Sequence, residues 1–330
     1  MRYEKKVLAL ACALAALLVI WGAGVIFSPD RVTARSEAGL VLSGDAGAVT
    51  AIELGGTQKL SLVKQSASWY LLDGSNRFPV QSDRVSSFLD ALAAVKRLRP
   101  LAHSRDAWAG FGLDEGKAKT ILLKNGAGKT LTDIAVGGYG PTGAEIYIRK
   151  AGSDESYAVD ASFAAYLGYE RSGWLDLRVM PQLPESDVQS VSVQSSLALD
   201  GPGKPPLSLN YRLTRSAQGW TGLSGAVDSP SADSLVRSLI ALQAEDYAAS
   251  APANSFEPVG ARVELSLGTG GSKVLEVGRP VAPSAGTAVA APGGEGRFYA
   301  RVAGSPYIFM ISAYSLRATL KTPADLLVKK

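Results

Sequence analysis

The chain has 330 residues, of which 46% are hydrophobic and only 19% charged, fewer than the quarter or so usual in globular chains. That composition excludes global disorder, and a formal charge of +4, with +2 of it in residues 1–6, excludes a strongly electrostatic nucleic-acid binder. One cysteine excludes an internal disulfide framework, and one histidine excludes most imidazole-based metal sites.

In chain order, the first feature is Val7 to Phe27, an uncharged apolar run. As a helix it spans roughly 30 Å, the thickness of a bilayer core. Arg2, Lys5 and Lys6 precede it, so residues 1–6 are expected in the cytoplasm and everything from Ser28 onward outside. A cleaved signal peptide is the competing reading, with Gly22-Ala23-Gly24 as the small-residue site, but the apolar run continues through Phe27. Lipidation at Cys12 is disfavoured because most of the run follows that cysteine. The expectation is a retained single-pass anchor through residues 7–27, followed by a linker over 28–47.

The remainder repeats. Leu60-Ser61-Leu62 is answered by Leu207-Ser208-Leu209, Trp69 by Trp220, and Asp83-to-Leu92 by Asp233-to-Leu242 without gaps. Further on, Phe111 matches Phe256, Val136-Gly137 matches Val277-Gly278, Tyr147-Ile148-Arg149 matches Tyr299-Ala300-Arg301, and Asp176-Leu177 matches Asp325-Leu326. The shared order predicts two similar domains of about 150 residues, over 48–180 and 188–330, with a linker over 181–187.

Within the first repeat, strands are predicted at Thr50–Leu54, Lys59–Lys64 and Ser68–Leu72. A helix follows with Ser82 as N-cap and Val85, Phe88, Leu89, Leu92 and Val95 on its apolar face. Strands are then expected near Lys119–Lys124, Thr130–Val136, Glu145–Arg149 and Ser156–Val159, with a short helix at Ser162–Leu167. In the second repeat Ser231 is the expected cap, and Leu235, Val236, Leu239, Ile240 and Leu242 form the apolar face. Trp69 and Trp220 read as core anchors. Pro- and Gly-rich stretches at Gly201–Pro206 and Val281–Gly296 read as hairpin insertions. The fold class is α+β: a transmembrane helix, then two tandem antiparallel sheets with packed helices.

Motifs with chemical meaning mostly fail on context. Asn125-Gly126-Ala127-Gly128-Lys129-Thr130 looks like the end of a phosphate loop, but Leu123 stands where a glycine is required and a strand follows instead of a helix. Gly138-Tyr139-Gly140-Pro141-Thr142-Gly143 satisfies G-x-G-x-x-G, yet leads into the strand-like Glu145–Arg149. Its structural reading is a loop between strands; its functional reading is a partner or ligand loop formed by Gly140, Pro141, Thr142 and Gly143 beside Tyr147 and Arg149. His103 reads as a surface or capping residue, and Asp73, Asp83, Asp114 and Glu115 sit at turn or cap positions. No catalytic, cofactor-binding or metal residue is assigned, and neither nucleic acid nor nucleotide is expected as a partner.

The anchor, the W-Y-L strand at Trp69, the D-R-V-S-S-F-L-D-A-L helix, Phe111-Gly112-Leu113-Asp114 and the P-T-G loop before Tyr147 and Arg149 together resemble the bacterial DUF4340 family, from about residue 48 to the C-terminus. Phe256-Glu257-Pro258-Val259 replaces F-G-L-D in the second repeat. The resemblance implies an envelope protein accompanying ABC-type transport systems. The expected function is therefore a non-enzymatic, membrane-anchored accessory protein that binds an ABC transporter permease or its extracytoplasmic subunit. The alternatives are an anchored solute- or glycan-binding protein using the groove between the repeats and a carboxylate-dependent envelope hydrolase.

Overall fold

The computed structural model describes residues 41–42, 44–56, 58–95, 98–180, 183–200, 204–282 and 296–329. The expected anchor over residues 7–27, with Cys12, lies outside the described residues. Among the described residues no helix is long and apolar enough to cross a membrane. Two compact units divide between Trp174 and Leu175, ahead of the stretch at Pro181 where the sequence places a linker. Pro181 and Gln182 lie outside the described residues, and Glu185–Asp187 forms a 3₁₀ turn.

The first unit holds β1 (Val49–Gly55), β2 (Leu60–Gln65), β3 (Ser68–Asp73), β4 (Asn76–Pro79), helix α1 (Ser82–Ala94) and β5 (Arg99–Ala102). These are followed by α2 (Trp108–Phe111), β6 (Lys119–Asn125), β7 (Thr130–Tyr139), β8 (Glu145–Lys150), β9 (Ser156–Asp160) and α3 (Arg171–Trp174). The second holds β10 (Val188–Leu197), β11 (Leu207–Ser216), β12 (Gly219–Thr221), α4 (Ser229–Ile240) and β13 (Asp246–Tyr247). It ends with β14 (Ala261–Leu267), β15 (Ser272–Pro280), β16 (Arg297–Val302), β17 (Ile308–Ser312) and α5 (Ala313–Thr319).

Both sheets are antiparallel. The first has strand order β4-β3-β2-β1-β6-β7-β8-β9-β5 and the second β12-β11-β10-β14-β15-β16-β17-β13, so among the described residues only β4 lacks a counterpart. Alternation sets the cores: Ile52, Leu62, Ile121 and Leu123 are fully buried in one, and Val191, Val193, Val263 and Leu265 in the other. Each such side chain contributes about 1.5–3 kcal/mol relative to exposure. Trp69 and Trp220 are buried, as expected of anchors.

Two irregularities recur at matching places. One residue is bulged between Val49 and Ala51 against β6, and again between Val188 and Ser190 against β14. A second bulge falls between Val136 and Tyr139 against β8, and between Val277 and Pro280 against β16. In each second bulge sits a glycine pressed against a carbonyl. A Cβ on Gly137 would lie 2.2 Å from the Phe111 oxygen, and one on Gly278 would lie 2.0 Å from the Ser255 oxygen.

The ladders also correct the sequence alignment. Lys64 faces Trp69 and Arg215 faces Trp220, so Leu62 corresponds to Leu213 instead of Leu209. In the helices, buried Val85, Phe88, Leu89 and Leu92 correspond to Ala232, Leu235, Val236 and Leu239. The gapless match of Asp83 to Asp233 is thus three residues out. Both slips are deceptive for a physical reason: four residues preserve the face of a strand, and three return to within about 60° of the same face of a helix. Likewise, Gln81 N–H donates to Trp174 O and Asp228 N–H to Leu326 O, which pairs Trp174 with Leu326 and displaces the Asp176–Asp325 match.

The caps differ from expectation. Ser82 and Ser231 lie inside their helices, whose N-caps are Gln81 and Asp228. Asp228 accepts from Ser231 N–H at 3.0 Å, whereas Gln81 makes no side-chain cap. Gln81→Asp is expected to stabilise the protein by about 0.5–1 kcal/mol and Asp228→Ala to cost about 1 kcal/mol in urea titrations. Gly278→Ala, which forces the backbone off the Ser255 carbonyl, is expected to cost about 2 kcal/mol or more in the same measurement.

Candidate partner-binding hairpin

The sequence-predicted loop is the turn between β7 and β8. Gly140 N–H donates to Glu145 O at 2.8 Å, and Gly143 N–H to Gly140 O at 3.0 Å, with Gly143 at φ +74°. Thr142 Oγ1 accepts from Ala144 N–H at 3.4 Å. The tip is therefore pinned by its own hydrogen bonds while Pro141, Thr142 and Gly143 stay exposed. Gly140 is buried, and a Cβ there would lie 3.6 Å from the Tyr147 hydroxyl. At the end of β7, Tyr139 is 56% exposed, a large aromatic surface beside a fixed turn.

Strand β8 buries Ile146 and Ile148 on one face, which leaves Glu145, Tyr147 and Arg149 half-buried on the other. The segment containing α2 packs against part of that second face. The Phe111 ring centroid lies 4.8 Å from that of Tyr147. The Arg149 guanidinium lies 4.1 Å from the centre of the Trp108 ring, and its Nε donates to Leu113 O at 3.2 Å. Trp108 is fixed in turn, because its Nε1 donates to Asp154 O at 3.1 Å while Asp154 pairs with Arg105 at 2.6 Å. Glu145 pairs with Arg99 at 2.6 Å.

The structure thus brings Gly140 and Tyr147 together at the base of the turn and places Arg149 farther along β8, against Trp108. The sequence reading missed Trp108 and the exposure of Tyr139. The alternation Glu145-Ile-Tyr147-Ile-Arg149 was the available signal that one face of this strand is polar. The other glycine motif is the β6–β7 hairpin, in which Asn125 Oδ1 accepts from Ala127 N–H at 3.0 Å and Lys129 N–H at 2.9 Å. That side-chain bridge, with Gly128 at φ +78°, accounts for the glycines.

His103 lies on the surface, its side chain 75% exposed, and its Nδ1 is 3.1 Å from Glu155. The Tyr157 hydroxyl donates to the same carboxylate. Those two contacts, the tyrosine foremost, hold Glu155 below the usual carboxylate range. Burial, followed by Glu155, pushes Tyr157 up to about 12. Two clefts lie elsewhere. One, of about 210 Å³ in the first unit, is bordered by Lys119, Tyr166, Tyr169 and Glu170; the other, of about 350 Å³ in the second, by Ser231, Arg317, Lys321 and Asp325. Lys119 Nζ already donates to Leu167 O at 2.9 Å, and Asp325 closes the capping box of a 3₁₀ turn. Among the described residues, no group of three or more His, Cys, Asp or Glu side chains is placed to hold a metal ion.

With the sheet, the turn and the packed Phe111-Gly112-Leu113 segment in view, comparison with known families is decisive. The model of the domain of unknown function DUF4340 matches residues 44–262. The chain belongs to the DUF4340 family. The match ends at Arg262, in β14, so it stops short of the C-terminus to which the sequence resemblance was extended. No curated protein and no solved structure matches the chain.

The elevated Tyr157 has a pH consequence. The folded state keeps the phenol proton over a range in which the unfolded chain has released it. Its contribution is full below about pH 10 and is lost as pH rises toward about 12. Glu155→Gln is expected to lower the Tyr157 titration, while burial keeps it above that of a free tyrosine. The difference between variant and wild-type phenolate absorbance against pH reads this directly.

Proposed function

We propose that this DUF4340 protein is a membrane-anchored accessory protein of an ABC-type transport system. In this reading residues 7–27 hold it in the bacterial inner membrane, with residues 1–6 in the cytoplasm and both units extracytoplasmic. It works by binding a transporter permease or an associated envelope subunit, and catalyses no reaction. The observation that carries the reading is the β7–β8 hairpin: exposed Tyr139, Pro141, Thr142 and Gly143 on a turn fixed by its own backbone bonds. A pre-ordered turn loses little conformational entropy on docking, and an exposed tyrosine is a residue type favoured at interface centres.

The acidic groups support the same reading by being structurally committed. Asp73 pairs with Arg171, Asp114 with Lys117, Asp154 with Arg105 and Glu145 with Arg99. Asp233 takes both Arg215 at 2.9 Å and Trp220 Nε1 at 2.7 Å. Each cleft described above is bordered by one carboxylate, whereas glycoside hydrolysis ordinarily uses two.

Affinity purification of the full-length protein in detergent is expected to recover a transporter component together with residues 1–27 still attached. Tyr139→Ala is expected to leave thermal stability unchanged and to reduce that recovery several-fold. Release without detergent, or recovery of no transporter component under conditions that keep known complexes intact, overturns the proposal.

A further inference from the structure

The repeated architecture allows each residue of one unit to be compared with its duplicate in the same ladder. The rung at Glu276 differs in a way that leaves one arginine without its carboxylate. In the second unit, Arg262 faces Glu276 across β14 and β15, and Glu276 faces Arg301 across β15 and β16. Glu276 is largely buried and bridges both arginines, at 2.6 Å to Arg262 and 2.8 Å to Arg301. Arg301 also lies 4.3 Å from the centre of the Phe256 ring. The same rung in the first unit reads Thr120, Ala135 and Arg149, paired in the same order across β6, β7 and β8. The arginine and its stacking on an aromatic ring are kept. The carboxylate that neutralises it is replaced by a methyl group.

Arg149 is consequently a half-buried cation with no counter-charge among the described residues. Its Nε is taken by Leu113 O, and among the described residues it forms no ion pair within 4.0 Å. The neighbouring acids are taken, Glu145 by Arg99 and Asp154 by Arg105. A guanidinium carries five N–H donors in a planar fork that matches a carboxylate, and a ring stacked beneath it fixes the plane of that fork. Partial burial strengthens such a pair relative to one at a fully exposed surface.

We propose that Arg149 receives an aspartate or glutamate side chain of the partner protein, supplying from outside the carboxylate that Glu276 supplies within the second unit. This rests on the accessory reading above and names the chemistry of its contact. The contact centres on β8, where Arg149 stands half-buried on its Trp108 platform; Tyr139 ends the neighbouring β7 opposite Ile146, beside the turn that leads into β8.

The test places a photo-activatable benzophenone amino acid at Tyr139 of the full-length protein in its native membrane. The captured partner segment is then identified by mass spectrometry. Arg149→Gln is expected to reduce capture by about tenfold or more, a loss of the size seen when one member of a charge-assisted interfacial pair is truncated. Arg149→Lys restores part of it, and the duplicate-site variant Arg301→Gln leaves capture unchanged. Because Arg149→Gln also removes a contact with Trp108, the charge-reversed Arg149→Glu is paired with acid-to-arginine reversal in the captured segment. Recovery of capture in that double variant supports the pairing whatever either single change does to stability. Capture at the wild-type level in Arg149→Gln, or a captured segment without aspartate or glutamate, overturns this inference and leaves the accessory role standing. Failure of the benzophenone at Tyr139 to capture any transporter component instead overturns the accessory role itself.

Discussion

The contact on which both units turn is a glycine set against a carbonyl inside a bulge. At Gly137 and Gly278 the strand leaves its regular pairing, and the backbone before the following strand pair comes too near for any side chain to fit between. This approach brings Phe111 against Tyr147 and the carbonyl of Leu113 within reach of Arg149. Beyond the bulge β7 rejoins the ladder at Tyr139, opposite Ile146, with the tyrosine ring left largely exposed. The half-buried polar face of β8 thus owes its packing partners to one local constraint.

Much of this architecture is legible in the residues. Short alternating runs place the strands of the first unit to within a few residues, because one buried face imposes a period of two on sequence as well as on structure. The helix Ser82–Ala94 is readable for the same reason at a period near 3.6, although its cap is not. Serine was the expected cap type, but the chain reaches the helix one residue earlier at Gln81 and three residues earlier at Asp228. What periodicity cannot supply is register. The matched letters in the helices and in Leu60–Leu62 fell on the right faces at the wrong residues, and only hydrogen-bonded ladders distinguish such alignments. The short β4, β5 and β13 carry too few residues to show any period.

The candidate site was legible in part. The glycine-rich run announced a turn, and the alternation after it announced a half-exposed strand with Tyr147 and Arg149 on one side. Trp108 was invisible as a partner of Arg149 because the two are brought together by tertiary packing, with nothing in local spacing to join them. The missing counter-charge was equally hidden. Ala135 is an ordinary buried residue until the ladder shows it standing where the other unit has Glu276.

The two units have parted in different ways at the levels of fold and of identity. Strand order, both bulges, the glycine against its carbonyl and the four buried helix positions hold through the second unit, yet the family model stops at Arg262. Topology survives wherever side chains keep their size class and their face, a loose demand that many sequences meet. The family model covers the whole sheet of the first unit and the second unit only as far as the start of β14. In the second unit an internal ion-pair rung occupies the equivalent face and closes it with its own charges. The duplicated sheets thus differ in their polar chemistry, one copy satisfying its rung internally and the other leaving a stacked arginine that, among the described residues, forms no ion pair.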